Sequence, residues 1–444
     1  MFDLIIEKNN QSDKFLFTVN PTLWNETCKF VYRYRNPQNE IISKEFIAKK
    51  EMRDNKYFYV YDFNLERQLF DNKDGVEICV YLIQKEGSGA PILVGNWINK
   101  GGKWKCDPNV VPYPSRMIGF SLTNQCNLKC MMCWQKNRQN PVFLPLESIK
   151  KVIESVKLFG KPPVYLWGGE PFLHPEIWPI IHFIKESGFF CIANTNGLTL
   201  ESHAQEIIDS RIDMLVVSLD GEELIHDQIR GRKGTFQKVV HGLEKIMQIR
   251  KRRPIMALNC VINELNYQML DRMVNLKNKI GIDYLEFQFL IFYTPEEVSS
   301  FKRHFIQLFG YEPKSADSYV SNYGKIEIDE LYKMMERINQ LNDPHIRFFP
   351  YALNNYNSVS DYFTNAQSLN IKRCESIYKS FWVEPNGDVV TCSIFPGYVA
   401  GNINQQDFFS IWNGELFRDF RNAMSKGLFS ICYRCCDLYK KDYF

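Results

Sequence analysis

The sequence lacks three features that would place a protein in a membrane, in a secretory route or on nucleic acid. No apolar stretch in its 444 residues approaches the roughly 20 residues of a membrane-spanning helix. The N-terminal segment MFDLIIEKNN has no basic region before its short apolar run, so we expect no signal peptide. The 54 Lys and Arg residues nearly balance the 51 Asp and Glu residues, which gives no argument for nucleic acid as a partner. We therefore expect a cytoplasmic protein without membrane or nucleic-acid partners.

Cysteine is abundant, with 13 residues that a reducing compartment would keep from forming disulfides. Such a number favours metal binding or catalysis. Five of them stand alone and are interpreted as small buried hydrophobic residues: Cys28, Cys79, Cys106, Cys191 and Cys260. The other eight form two groups: Cys126, Cys130 and Cys133, and then Cys374, Cys392, Cys432, Cys435 and Cys436. These two groups are the candidates for a functional role.

The first part of the chain has the composition of a β domain. Residues 1–105 contain short runs rich in β-branched and aromatic residues, such as CKFVYRYR and KYFYVYD, separated by turn signals. They predict an all-β, sandwich-like accessory domain that binds or positions a substrate and does not catalyse. Residues 106–115 contain three prolines and are interpreted as a linker.

From residue 116 onward, near-continuous apolar strands alternate with amphipathic helices. Six strands with five intervening helices over residues 116–293 predict an α/β fold with a parallel sheet, a partial (βα)6 barrel. Active sites in such sheets lie at the carboxyl ends of the strands. Residues 294–373 are predicted to be a mixed connecting region that includes a helix. Residues 374–444 are predicted to be a small cysteine-rich domain with a strand–turn–strand around Asn386 and Gly387.

The first cysteine group has the spacing C-x3-C-x2-C on a loop after a predicted strand. Three closely spaced thiolates suit an iron–sulfur cluster of four irons, in which one iron stays open for an exogenous ligand. Zinc is the alternative, although structural zinc sites usually show paired C-x-x-C motifs and a nearby fourth ligand.

A series of short motifs follows this group in order along the strand ends. CNLKCMMC, then WGGEP at 167–171, NTNG at 194–197, VSLDG at 217–221 and HDQIRG at 226–231, resembles the radical S-adenosylmethionine (radical SAM) superfamily. The resemblance implies that Cys126, Cys130 and Cys133 ligate a 4Fe–4S cluster whose open iron binds SAM. One electron from the cluster would cleave SAM to a 5′-deoxyadenosyl radical, which takes a hydrogen from a substrate carbon. The cofactor would carry this chemistry, and the protein would position it.

The GGE segment is the first candidate for direct contact with SAM. The resemblance implies that Gly168, Gly169 and Glu170 meet the SAM amino group. Glycine allows a close backbone approach, and a carboxylate accepts well from an ammonium group. The alternative is a tight turn with a solvated glutamate.

Five more residues near the strand ends are candidates for SAM contact. By motif position, Ser218 and Asp220 would face the ligand from the end of the fourth strand, and Arg230 would pair with the SAM carboxylate. Asn194 and Asn196 are further candidates in the NTNG segment. The alternatives are turn and cap roles for the serine, aspartate and asparagines, and a surface salt bridge for the arginine.

The second cysteine group resembles the twitch form of the SPASM extension found in one branch of that superfamily. The resemblance implies that Cys374, Cys392, Cys432 and Cys435 ligate one auxiliary 4Fe–4S cluster completely. The further cysteines of the larger SPASM pattern are absent, so we predict a single auxiliary cluster. Cys436 is the alternative to Cys435 as a ligand, and a zinc ribbon is the alternative to a cluster.

An auxiliary cluster without a free iron suits electron transfer, which indicates a radical SAM oxidoreductase or a redox-neutral rearrangement. The spacing resembles that of the single-cluster dehydrogenase of aminocyclitol antibiotic biosynthesis. We therefore expect oxidation or epimerisation of a carbohydrate-type substrate. The alternatives are a maturase that crosslinks or epimerises a ribosomally made peptide, and a non-enzymatic scaffold that would not cleave SAM. A flavodoxin- or ferredoxin-type protein is the expected electron donor.

Overall fold

The computed structural model of the chain forms two compact units. It describes residues 111, 113–133, 140–157, 160–313, 319–320, 326–395 and 397–439, together with the backbone of the strands between residues 4 and 106. The units are Met1–Tyr113 with Val156–Lys161, and Pro114–Ser155 with Pro162–Phe444. The linker expected at 106–115 lies largely outside the described residues, and the domain boundaries stay predictions.

The strands described in the first unit form two antiparallel sheets, with the orders β1-β2-β6-β5 and β4-β3-β7-β8-β9. Strands β3, β6, β7 and β8 coincide with the aromatic and β-branched runs of the sequence. The others are more polar, as in KKEMR, or as short as KWKC, so they carry a weaker strand signal. Their bounds are β1 Leu4–Asn9, β2 Ser12–Thr18, β3 Cys28–Arg35, β4 Ile41–Phe46, β5 Lys49–Arg53, β6 Lys56–Asp62, β7 Glu77–Gln84, β8 Ile92–Lys100 and β9 Lys103–Cys106.

The second unit is built on one mixed sheet, which has ten strands among the described residues. Its centre is parallel, and strands β10 to β15 lie side by side in chain order. The α/β class with a partial parallel barrel is therefore confirmed. The bounds are β10 Met117–Thr123, β11 Val164–Gly168, β12 Cys191–Thr195, β13 Met214–Ser218, β14 Ile255–Ile262, β15 Tyr284–Phe289, β16 Ile346–Phe349, β17 Ser380–Val383, β18 Asp388–Val390 and β19 Val399–Asn402.

Helices connect these strands and bury one apolar face each. In α2, for example, Ile177, Ile180, Ile181 and Ile184 are buried at helical spacing. None of the described helices is long and apolar enough to cross a membrane. The bounds are α1 Leu146–Lys157, α2 Ile177–Glu186, α3 Ala204–Asp209, α4 Glu223–Arg230, α5 Thr235–Ile249, α6 Leu270–Ile280, α7 Pro295–Phe309, α8 Ile328–Asn339, α9 Tyr356–Thr364, α10 Ser376–Lys379, α11 Phe408–Trp412 and α12 Glu415–Lys426.

The parallel sheet extends by one strand at each edge beyond the six that the sequence predicts. Strand β16 pairs with β15, and β17 pairs with β10, both in parallel. Each has only four residues, IRFF and SFWV, which is too short to show a period. The predicted strand–turn–strand is present: β17 turns at Gly387, with φ +86°, into the antiparallel partner β18.

The β10–β17 pairing joins the C-terminal region directly to the barrel. Gly119 pairs in register with Trp382, and a Cβ atom on Gly119 would lie only 2.1 Å from the indole ring. Any larger residue at 119 would therefore push the tryptophan away. The backbone of Arg116 continues the contact by donating to the carbonyl oxygen of Lys379 at 2.8 Å.

Candidate metal centres

The loop that carries Cys126, Cys130 and Cys133 begins where β10 ends. The backbone amide of Met131 donates to the carbonyl oxygen of Ile229 in α4 at 2.9 Å, which ties the loop to that helix. Cys130 is buried, Cys133 is half-buried and Cys126 is exposed. The three thiols therefore lie at the carboxyl edge of the parallel strands, with solvent access on the side of Cys126.

Two polar side chains from neighbouring elements donate to these sulfur atoms. Asn196 Nδ2 lies 3.7 Å from Cys126 Sγ, and Arg230 Nη1 lies 3.7 Å from Cys130 Sγ. Hydrogen bonds to sulfur ligands and cations beside them favour the thiolate form that binds metal. Asn196, an additional candidate in the sequence, thus contacts the predicted cluster ligand itself.

The GGE segment packs against the cysteine loop through its backbone. The amide of Gly169 donates to the carbonyl oxygen of Thr123 at 2.7 Å, and that of Glu170 donates to Gln125 at 2.8 Å. A Cβ atom on Gly169 would lie 2.1 Å from the Gln125 oxygen, and Gly168 has φ +128°. Both glycines are therefore required by the close approach of the two loops.

The carboxylate of Glu170 is buried and accepts three hydrogen bonds. The donors are Thr195 Oγ1 at 2.8 Å, the Asn196 amide at 2.8 Å and the Phe172 amide at 3.2 Å. Burial raises the pKa of Glu170 to about 7, while these donors act in the opposite direction. Glu170 thus links the ends of β11 and β12. Its contact with the SAM amino group stays a prediction.

Asp220 and Arg230 form a buried ion pair beside the cysteine loop. Arg230 Nε lies 2.6 Å from Asp220 Oδ2, and the other carboxylate oxygen accepts from the Val261 amide at 3.0 Å. Burial lowers the pKa of Arg230, but Asp220 and Cys130 outweigh it and hold the guanidinium charged. Arg230 Nη2 is buried without a hydrogen-bond partner among the described residues. A donor remains available there for an anionic group such as a carboxylate.

The barrel encloses a cavity of about 230 Å³, called the barrel chamber below, whose lining includes Val216, Asn259, Glu286, Gln288 and Cys436. Asn259 Nδ2 donates to Gln288 Oε1 at 3.1 Å, so amide groups from two strands meet inside the barrel. The sequence motifs did not predict this lining, although the polar residues within the otherwise apolar strands ALNCVI and YLEFQF could have indicated it.

Two of the predicted SAM contacts share the inward face of the sheet. Asn194 pairs in register with Val216, and Ser218 pairs with Asn259. The two partners, Val216 and Asn259, line the barrel chamber. The Asn194 and Asn259 Oδ1 atoms are buried without a partner in the described chain. Because buried polar groups normally find a partner, these atoms and Arg230 Nη2 fit a polar ligand such as SAM.

The C-terminal cysteines surround a separate, smaller cavity. Cys374, Cys392, Cys432 and Cys435 all line a space of about 40 Å³, together with apolar side chains such as Phe395. No three His, Cys, Asp or Glu side chains of the described residues converge on a point where a single metal ion would sit. The four cysteines border one apolar-lined volume, and this donor set fits a cluster. The volume is called the auxiliary cavity below.

Burial and backbone amides act in opposite directions on the pKa values of these thiols. Burial raises the pKa of Cys374 to about 11, and the amides of Ile377 and Ser376 act against it. Burial raises the pKa of Cys392 to about 12, with the amides of Phe395 and Ile394 opposing to a lesser degree. The amides supply N–H groups toward sulfur, as expected around an iron–sulfur ligand.

Cys435 and Cys436 are adjacent in sequence but border different spaces. Cys435 lines the auxiliary cavity, whereas Cys436 lines the barrel chamber. The sequence could not separate them, because either residue satisfies the spacing from Cys432. The structure places all four predicted ligands at the auxiliary cavity, while the thiol of Cys436, which contacts that of Cys435, lines the barrel chamber. The choice of Cys435 as the ligand stays a prediction.

Family models match two segments of the chain. Residues 120–276 match the radical SAM superfamily, and residues 374–436 match an iron–sulfur cluster-binding domain, SPASM. The first segment holds the cysteine triplet and the motif-bearing strand ends, and the second holds the four cysteines of the auxiliary cavity. These domains imply a SAM-binding 4Fe–4S cluster and auxiliary cluster binding.

The chain is also similar to curated relatives and, in fold, to a solved structure. An AdoMet-dependent heme synthase of Methanosarcina barkeri is 26% identical over 71% of this chain and 88% of its own. A tungsten-containing aldehyde ferredoxin oxidoreductase cofactor-modifying protein of Pyrococcus furiosus is 22% identical over 73% of this chain and 90% of its own. Streptococcus suis SuiB bound to precursor peptide SuiA has a TM-score of 0.54 at 17% identity, covering 76% of each chain, and shares the fold.

Proposed function

Because the chain carries a radical SAM domain followed by a SPASM domain, we propose that Cys126, Cys130 and Cys133 hold the SAM-binding cluster. The proposed reaction is reductive cleavage of SAM, followed by removal of a hydrogen atom from a substrate carbon in the barrel chamber. The observation that carries this proposal is that the cysteine loop, the GGE segment and Arg230 are joined by hydrogen bonds at the carboxyl edge of the sheet.

The side chains around the triplet would orient the cofactor. When bound, the cluster and SAM together supply an electron and a radical that abstracts hydrogen, chemistry that no side chain provides. Arg230 would bind the SAM carboxylate through its unpartnered Nη2, while Asp220 fixes the guanidinium in place. Asn194 and Ser218 would face the remaining polar groups of the cofactor from β12 and β13.

The auxiliary cavity would hold one 4Fe–4S cluster on Cys374, Cys392, Cys432 and Cys435. Its wall is apolar, so neither water nor a polar substrate would replace a ligand there. Such a site suits electron transfer to or from the barrel chamber. A flavodoxin- or ferredoxin-type donor would supply the electrons, and an oxidoreductase outcome fits an electron acceptor in this position.

The substrate that we propose is a peptide. The support is the shared fold with SuiB, which binds a precursor peptide, and a chamber lined by amide groups that can bond a peptide backbone. The carbohydrate substrate expected from the sequence stays a prediction. Neighbouring genes separate the two: a short precursor-peptide gene favours the maturase, and glycosyltransferase genes favour the sugar enzyme.

The test is iron analysis and SAM cleavage after anaerobic reconstitution. We expect about eight irons and eight sulfides per chain, from two cubes, and formation of 5′-deoxyadenosine after reduction. Changing Cys126, Cys130 and Cys133 together to Ala should remove half the iron and all cleavage. Cleavage retained by this variant would refute the assignment, and zinc in place of iron in the purified chain would favour the scaffold reading.

A further inference from the structure

We propose that the hydroxyl group of Tyr293 donates a hydrogen bond to a sulfur atom of the auxiliary cluster and thereby raises the reduction potential of that cluster. The inference rests on the proposed function, since it requires a cluster in the auxiliary cavity. Tyr293 acts on the cluster's electronics and is neither a metal ligand nor a catalytic residue.

Tyr293 is held firmly at the wall of this cavity. It follows β15 by a few residues and is only 2% exposed. Its backbone amide donates to the carbonyl oxygen of Tyr319 at 3.0 Å, and the two rings meet edge to face with centroids 5.6 Å apart. The side chain lines the auxiliary cavity together with all four predicted ligands. Its orientation is thus fixed before any cluster is bound.

The hydroxyl group has no hydrogen-bond partner in the described chain. Leaving a buried polar group unpaired costs about 1–3 kcal/mol, and a buried tyrosine hydroxyl usually has a partner. Among the described side chains that line the cavity, Tyr293 alone carries a hydroxyl group, and the others are thiols or apolar groups. The sulfur atoms are the acceptors that the cavity offers.

The electrostatics make the hydroxyl a donor. A phenol has an ordinary pKa of about 10, and the Tyr293 side chain is buried among apolar groups at the cavity wall, which disfavours its charged form. The phenol therefore keeps its proton at neutral pH and cannot serve as an anion beside the sulfur atoms. A neutral O–H group at the wall of the cavity would donate to a negatively charged cluster bound there.

Such a bond changes the energy of the reduced cluster more than that of the oxidised one. Reduction adds one electron, and the added charge lies partly on the sulfur atoms, so a donor stabilises the reduced form. Hydrogen bonds to sulfur are one of the factors that set cluster potentials. Removing the hydroxyl should shift the midpoint potential to a more negative value and leave ligation unchanged.

The experiment isolates the auxiliary cluster in the full-length chain. Tyr293→Phe is made in a parent in which Cys126, Cys130 and Cys133 are Ala, so that the EPR signal of the reduced chain comes from the auxiliary cluster alone. The parent and the variant are titrated with reductant at controlled potential, and iron is counted. The matched control is Tyr398→Phe. Tyr398 belongs to the same group of buried apolar side chains as Tyr293. Its hydroxyl, however, donates to the Leu416 carbonyl oxygen at 3.0 Å, and Tyr398 does not line the cavity.

We expect the midpoint of Tyr293→Phe to be more negative than that of the parent, and the control to match the parent. At one fixed potential, a tenfold lower ratio of reduced to oxidised cluster corresponds to a shift of 59 mV for one electron. In D2O, the reduced parent should also show an exchangeable deuteron coupled to the cluster by ENDOR, and the variant should lose it.

The outcomes separate this inference from the proposed function. A parent that binds no iron refutes the auxiliary ligand assignment and leaves the role of Tyr293 without a basis. A parent that binds four irons, with the same midpoint in Tyr293→Phe, overturns the hydrogen bond while the cluster assignment stands. If the variant binds less iron than its parent, its midpoint is not compared, and the test is the deuteron coupling in the parent. The presence of that coupling supports the hydrogen bond, and its absence overturns the proposal.

Discussion

The two cysteine sites of the second unit differ in access. Cys126 is exposed on a loop, and polar side chains, Asn196 and Arg230, donate to the sulfur atoms around it. The auxiliary cavity is lined by its four cysteines and apolar side chains, and the polar groups that reach its thiols are mainly backbone amides. The difference fits the two proposed roles: an exposed edge with polar donors suits binding of a cofactor that carries a carboxylate, and an apolar wall suits storage or transfer of an electron.

The largest expected effect tests the closed site through its adjacent cysteines. Cys435→Ala should lose about four of about eight irons and abolish substrate turnover, because a cube needs four protein ligands when no exogenous ligand replaces one. SAM cleavage should persist, since the barrel site is untouched. Cys436→Ala is the matched control and should keep its iron, because that thiol faces the barrel chamber. Loss of iron from the Cys436 variant alone would reverse the ligand assignment.

A second prediction concerns the buried ion pair at the open site. Asp220→Asn leaves Arg230 charged, buried and without its carboxylate, which costs about 3–5 kcal/mol of unfolding free energy. Urea denaturation of the metal-free chain measures this loss. The control is Glu222→Gln, which breaks an exposed pair with Arg272 and should cost about 0–1 kcal/mol. Equal effects of the two variants would show that the Asp220 pair is not a buried determinant of the fold.

The smallest effect is a pH dependence that arises at the same edge. Burial, and to a lesser degree Arg230, lowers the pKa of His226 to about 3, and its Nδ1 accepts from the Asp220 amide at 3.1 Å. An unfolded histidine has a pKa of about 6.5. Between these values the unfolded chain binds one more proton at this histidine, so His226 contributes a fall in the unfolding free energy as the pH is lowered, by up to about 1.4 kcal/mol per pH unit. Glu170, whose pKa is raised to about 7, contributes in the opposite direction.

Urea midpoints at pH 7.5, 6.5 and 5.5 measure this slope in the metal-free chain. His226→Gln should remove the contribution of this histidine, so that the variant loses less stability than the parent on acidification, while His345→Gln, which changes an exposed histidine, should leave the slope as in the parent. Identical slopes in the His226 variant and the parent would contradict the assignment of a neutral, buried imidazole.

Much of the barrel could be predicted because its signals are local. The six central strands are apolar runs bounded by amphipathic helices, and each keeps its place in the sheet in chain order. The cysteine triplet and the GGE segment are each a short continuous stretch that follows a strand. Their proximity at the strand ends follows from the parallel topology. The family resemblance rested on these contiguous motifs, and the matched family models confirm it.

The parts that could not be predicted depend on contacts between distant segments. The β16 and β17 strands form because an existing sheet edge offers partners, not because four residues favour a strand. Asp220 and Arg230, two candidate SAM contacts, form an ion pair with each other, and their spacing in the sequence does not show this. Tyr293 is one of 23 tyrosines in the sequence. Only its packing beside the four cysteines distinguishes it from the others.

The pairing of Gly119 with Trp382 has a consequence for the spacing of the two redox sites. Since β17 is a strand of the barrel's own sheet, the distance between the cysteine loop and the auxiliary cavity is set by the hydrogen-bond register of β10 with β17 and not by a flexible linker. A slip of one residue would displace β17 by about 3.3 Å and turn Trp382 to the opposite face. Transplanting the C-terminal module onto another barrel would therefore succeed only if the recipient's first strand keeps a glycine facing that tryptophan.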